Sequence, residues 1–474
     1  MNTTRRFVLG ALAAGSALSA LRPRQARAQG YSPAQFSRRD VNTLDSDDPI
    51  LDTYRTAIAA MQALPDSDPL SWQAQAEIHL NFCPHGNWFF LPWHRAYLDQ
   101  FERIIRHLGN DPDWALPYWD WTRNPQIPAP FWEAGSPLDH PRNIGPNTSM
   151  PAEFVGEPAI RDVMEKEDFE DFASFKSTLP RGGTGGGSAD LERRPHNSVH
   201  RTIGADMASF LSPRDPIFWL HHCNIDRIWA SWNAVGNANT ADPDLADFTF
   251  EAVPGQFVTP DGTPKAYTVR DIYTTQALQY GYDRLEPGPD NAGNLTLSLR
   301  LQRSQQEVVR SDLTRSVSAG GILDSTVSLP GAAERVADTG RIRALSLDTN
   351  ANFAAPSQIS TARLALRGLK APAGPDTAVR VFINCDYLSV DTPLNDPHFV
   401  GVAAFFVTGV GESDHAGHGA DFVFDLTEAL DALRRRGTPI NGEIRPQVLA
   451  VDSAGKGTEI AIDGGFEITV ETLG

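Results

Sequence analysis

The chain has 474 residues, enough for two domains that each bury a core of their own. Its formal charge of −18 argues against nucleic acid or an anionic membrane surface as a partner. The three cysteines, Cys83, Cys223 and Cys385, are an odd and widely spaced set that gives no disulfide framework.

Residues 1–28 read as a twin-arginine export leader. Arg5-Arg6 precede an uncharged run from Phe7 to Leu21, and Ala26-Arg27-Ala28 forms an A-x-A cleavage signal. The run is shorter than the ~20 apolar residues of a membrane span, so no membrane anchor is expected and the mature protein is placed in the periplasm or outside the cell. Losing the leader removes five arginines and no acidic residue, which moves the charge from −18 to −23.

Residues 29–285 are expected to form a mainly α-helical domain, a four-helix bundle. Asp47-Asp48-Pro49 opens an amphipathic helix through Ile50, Leu51, Tyr54, Ile58 and Met61. A second helix is placed from about Asp68-Pro69, carrying Trp72, Ala76 and His79. After an aromatic loop with Pro84 and Gly86, a third helix holds Pro92 in its first turn, repeats Leu98, Phe101, Ile104, Ile105 and Leu108, and stops at Gly109. Residues 111–190 are mostly irregular, and the GGTGGG run at 182–187 reads as a surface loop because it lacks the Lys-Ser/Thr of a phosphate loop. A helix bearing His196 and His200 opens at Pro195 and fades by Gly204; the next starts at Asp215-Pro216 and runs to about Gly236.

Beyond about residue 285 the period changes to two. Leu295, Leu297, Leu299 and Leu301 alternate with polar residues, and residues 330–355 form a polar connector. Residues 286–360 are taken as a linker with the first strands, and 361–474 as an all-β sandwich domain. One helix interrupts its strands, with Asp425 and Glu428 as a capping box and Gly437 and Pro439 at its end.

Seven of the twelve histidines fall in two short stretches. His196 and His200, four apart, share a helix face, and His222 joins them from the next helix. His79, His85 and His94 make a matching set, so the helices carry two three-imidazole sites. Imidazoles without carboxylate or thiolate suit zinc or copper, and copper binds the more tightly.

The stretches CPHGNWFFLPWHRAYLDQFE, LPYWDW and PHNSVH…DPIFWLHHCNIDRIW resemble the tyrosinase and polyphenol oxidase family over residues 38–285. That resemblance implies two copper ions, copper A on His79, His85 and His94 and copper B on His196, His200 and His222, with His221 in a supporting place. It implies oxidation of phenolic small molecules by dioxygen to o-quinones; the alternative is a haemocyanin-like carrier that binds dioxygen reversibly. It also implies a Cys83–His85 thioether, and a water held by Glu192 and Asn197 that takes the proton of a monophenol. Phe210 stands where plant relatives carry an aromatic gate, though the spacing is one residue shorter, and a place in the core fits it equally. Tyr280-Gly281-Tyr282 resembles the family's Y-x-Y, which packs on an N-terminal arginine, here Arg38 or Arg39. VFINCDYLSVDTPLNDPHFVGVAAFF and DLTEALDALRRRG resemble the C-terminal domain of plant polyphenol oxidases, which lies over the copper site. Asp414 to His418 (DHAGH) reads as a solvated loop rather than a metal site.

Overall fold

The computed structural model describes residues 34–287, 303–328, 359–372, 377–406, 419–438, 442–452 and 454–473. The leader, the Leu295–Leu301 alternation, the 330–355 connector and the DHAGH loop lie outside them, as do Pro439 and the side chain of Glu428.

Five of the helices of the first body frame its centre. Helix α1 (Pro49–Ala63) is capped by Asp48, whose carboxylate accepts from the Ile50 N–H, and it buries Leu51, Tyr54, Ala57, Ile58 and Met61 on one face. Helix α2 (Trp72–Phe82) starts later than Asp68-Pro69 suggests. Asp68 instead closes a turn and accepts the Leu70 N–H, while Ser71 caps the helix by accepting from the Ala74 N–H. Helix α3 (Phe90–Leu108) is buried along nearly its whole length. Helix α4 (Asn197–Ile203) follows one turn of π-helix at Glu192–His196, so the helical stretch opens before Pro195. Helix α5 (Ile217–Ala234) lies against α3. Among the described residues no helix is long and apolar enough to cross a membrane.

A short parallel ladder closes this body. Strand β1 (Phe36–Arg38) pairs with β2 (Tyr280–Tyr282). Arg38, and not Arg39, is the clasp: its guanidinium lies 3.6 Å over the Tyr280 ring and pairs with Glu102 at 2.8 Å and Asp226 at 3.3 Å. Arg95 reaches the other oxygen of Asp226 at 2.6 Å, so α3, α5 and both chain ends of the body meet in one buried ionic network. Arg39 is half-buried and, among the described residues, pairs with Asp48 at 3.6 Å.

The second body has two five-stranded sheets. In one, β3 (Arg303–Ser311), β4 (Thr314–Val317), β5 (Ile359–Lys370) and β8 (Ala420–Asp425) gather around β10 (Ile460–Leu473), which pairs with β3, β4 and β5. In the other, β6 (Ala378–Ile383) is flanked by β7 (Phe399–Ala403) and β9 (Pro446–Val451). Leu364, Leu366, Phe422, Phe466 and Ile468 from the first sheet share an apolar core with Val379, Val381, Val448 and Ala450 from the second. The intervening helix Thr427–Arg435 is capped by Asp425, which accepts from the Thr427 N–H.

The two bodies are joined by more than the chain. Arg363 makes a two-pronged pair with Asp171 at 2.9 and 2.8 Å. Ser188 forms a bridge to Phe422, with its N–H on the Asp421 carbonyl and its carbonyl taking the Val423 N–H. Ala378, Val402 and Ala404 are buried in the apolar core of the helical body.

Candidate metal centre

The histidine-bearing elements converge on the middle of the helical body. His79 comes from α2, His85 from the loop after it, and His94 from α3; their ligand atoms lie within 4.8 Å of one another. His196, His200, His221 and His222 form a second group within the same limit. The groups face each other, with the His94 and His222 rings stacked at 4.4 Å and those of His85 and His196 at 5.4 Å. All seven rings are buried except His85, which is half-buried.

Hydrogen bonds orient most of these rings the same way. Nδ1 of His79 donates to the Phe210 carbonyl at 2.8 Å, that of His94 to Phe90 at 2.8 Å, and that of His200 to Met207 at 2.7 Å. His196 Nδ1 donates to Asn197 Oδ1 at 2.8 Å. Each bond leaves the Nε2 lone pair for the interior, and Nε2 of His79, His85, His94 and His196 is buried with no hydrogen-bond partner. His200 and His222 turn their Nε2 atoms towards each other at 3.1 Å. Burial holds all seven rings below the ordinary histidine pKa, His79 at about 3, so they are neutral at pH 7. Neutral rings with tied Nδ1 and unmet inward Nε2 atoms are what a metal pair requires. His221 is held differently, its Nδ1 accepting from Trp121 Nε1 at 3.2 Å so that its proton sits on Nε2, while His222 has no partner on Nδ1.

Cys83 Sγ lies 3.4 Å from His85 Nδ1, and burial raises its thiol pKa well above the usual value. Glu192 is buried, with Oε1 accepting from the Gly86 N–H at 2.7 Å and Oε2 from Ser174 Oγ at 2.5 Å. Burial pushes its carboxyl up to about 7, against the pull of those hydrogen bonds. Asn197 does not bond to Glu192; its Nδ2 donates to the Ala404 carbonyl at 2.9 Å. Phe210 sits beside the first group, 5.7 Å from the His85 ring.

One site residue is missing from the sequence reading. Phe406, from the second body, stacks on His85 at 4.3 Å with a 15° interplanar angle and meets His200 edge-on at 4.6 Å. Its only trace in the sequence is the end of the apolar run Val402 to Phe406, where nothing distinguishes a plug from a strand residue.

Fold and site together define a helical bundle with paired three-histidine centres under a β-sheet cover. Residues 58–151 and 135–235 match the family model for the common central domain of tyrosinase. The chain is 32% identical over 303 residues to the chloroplastic polyphenol oxidase of Spinacia oleracea, covering 52% of this chain and 47% of that protein. The chain thus spans about half the length of that plant relative. A tyrosinase of Hahella sp. is 27% identical over 481 residues, covering 89% of this chain and 97% of that one. The structure of latent apple tyrosinase shares the fold, with a TM-score of 0.68 at 23% identity over 93% of this chain and 98% of that chain. The chain carries a tyrosinase central domain and is a homologue of the tyrosinases and polyphenol oxidases.

Proposed function

We propose that the protein is a copper-dependent phenol oxidase, hydroxylating monophenols, oxidising o-diphenols to o-quinones, or both. The carrying observation is the two facing sets of imidazoles, with Nδ1 of His79, His94, His196 and His200 held by hydrogen bonds and Nε2 of His79, His85, His94 and His196 buried without a partner. His79, His85 and His94 would hold one copper ion, and His196, His200 and His222 the other. When bound, the pair supplies dioxygen activation.

The chain's own groups position the phenol and move its proton. The face of His85 covered by Phe406 is where a substrate ring would stack, since Phe406 is itself an aromatic ring 4.3 Å away. A monophenol, with a pKa of about 10, must lose its hydroxyl proton before its oxygen can serve as a ligand. Glu192, with its carboxyl near 7, is tuned to take that proton through a water that Asn197 helps to hold. Phe406 keeps the site closed in the full chain, so the β-sheet body acts as a cover. The short Cys83–His85 approach supports a thioether that would fix the loop ligand, formed with loss of two hydrogens to dioxygen; intact-mass measurement after copper loading reads it. Arg5-Arg6 and the A-x-A signal support twin-arginine export.

The test is o-quinone formation from catechol and tyramine by copper-loaded protein, with the full chain and with a Phe406→Ala variant. Turnover of catechol by the opened variant is expected. Reversible dioxygen binding with no turnover of either phenol would overturn the reading in favour of a carrier.

A further inference from the structure

The π-turn before α4 exposes an acceptor that a regular helix would consume. The Asn197 N–H bonds to the carbonyls of Glu192 and Arg194, which leaves the Arg193 carbonyl to accept from the Ala404 N–H at 2.9 Å. The Arg193 guanidinium bonds the Val402 carbonyl and lies 4.2 Å over the Phe424 ring. Four residues on, Asn197 Nδ2 donates to the Ala404 carbonyl while its Oδ1 accepts from His196. Both backbone groups of Ala404 are therefore taken by the helical segment that carries His196 and His200. These bonds fix the segment 402–406 as a strap, and Phe406 is its tip.

We propose that the strap silences the site through two separable contacts, the Phe406 ring in the substrate position and the Ala404 carbonyl on the Asn197 amide. The proposal rests on the reading of Asn197 given above. With one Nδ2 hydrogen on the Ala404 carbonyl, Oδ1 on His196 and the residue 3% exposed, the Asn197 amide is shut off from bulk solvent while the strap is in place. A monophenol has one hydroxyl and depends on that assisted deprotonation. An o-diphenol brings a second oxygen and depends on it less. Removing the ring alone should therefore open the site to diphenols while leaving monophenol hydroxylation suppressed.

The test uses the full copper-loaded chain and reads kcat at saturating substrate. Phe406→Ala should raise catechol oxidation at least about tenfold, with tyramine hydroxylation lagging by about tenfold because the strap ladder persists. Adding Ala404→Pro deletes the N–H that meets Arg193 and breaks the ladder. Tyramine kcat should then rise about tenfold, with catechol kcat changed less than about twofold. If Phe406→Ala alone raises both kcat values in proportion, the second contact does not exist as a lock. A second readout needs neither metal nor turnover: exchange of the Asn197 side-chain amide protons in the metal-free chain, assigned by their loss in Asn197→Asp. Slow exchange in the parent and in Phe406→Ala, and fast exchange in the double variant, is expected; fast exchange in the parent would overturn the proposal. If catechol is turned over but no variant hydroxylates tyramine, the water-holding reading of Asn197 falls. The exchange pattern then decides the strap contact alone.

Discussion

At the scale of single residues, Glu192 and Asn197 carry the sharpest consequences. Glu192 is held at about 7 in the fold, against 4.5 for a free carboxyl. Between those values the folded metal-free protein binds a proton that the unfolded chain has released. Taken alone, its contribution to stability falls as pH rises across that window, by about 3 kcal/mol in total, and levels off above it. The seven buried neutral histidines set an opposite and larger trend. Glu192→Gln removes only the carboxyl's contribution, so the variant should gain more stability from pH 5 to pH 8 than the parent does, as read by denaturant unfolding of the two metal-free proteins. In the Phe406→Ala, Ala404→Pro background, where the strap is released, Asn197→Ala should lower tyramine hydroxylation by about tenfold more than catechol oxidation, since one polarising hydrogen bond is at stake; equal losses in the two assays would remove the water-holding role. The histidines were legible because they are scarce and spaced for ligation, four apart on a helix or one from each neighbouring element. The partner of Asn197 was not, because it is a backbone carbonyl 207 positions away and carries no residue signature.

At the scale of elements, helix interiors followed from apolar periodicity while their ends followed from local hydrogen bonds that compete. Asp68-Pro69 has the chemistry of a helix start, yet the Asp68 carboxylate closes a turn and Ser71 takes the cap. Pro195 reads as a helix opening but lies inside the π-turn, where its missing N–H removes one donor from the ladder and favours the shifted register. Gly187 shows how closely cover and core approach. Its φ is +137°, and a Cβ there would stand 2.6 Å from Val423 Cγ2. Gly187→Ala should therefore part Ser188 from Phe422. Catechol oxidation by the full chain should rise several-fold and the unfolding midpoint should drop, both measurable without touching any ligand residue.

At the scale of the molecule, the helical and β bodies were both legible as changes of period, whereas their docking was suggested only by the family resemblance and by no pattern in the residues. The Arg363–Asp171 pair and the Ser188 bridge join segments that no periodicity relates. The clasp at Arg38 is the opposite case, because a Y-x-Y near one end and an arginine near the other suggested it. Arg38→Ala should leave Glu102 without its partner from that side and weaken the hold on Asp226, both buried, costing about 3–5 kcal/mol in chemical denaturation. Arg39→Ala, at a surface pair, should cost at most about 1 kcal/mol.

Strand β10 gives the cover a place in time. It pairs with β3, β4 and β5 and follows all three in the chain, so their sheet cannot close until residues 460–473 have been made. The strand that closes the helical body ends at Tyr282, 191 residues before Leu473. At ribosomal speeds of about 5–20 residues per second, that interval is roughly ten to forty seconds. During synthesis, then, the imidazole pocket exists before its lid does, and a metal ion arriving in that window meets an open site.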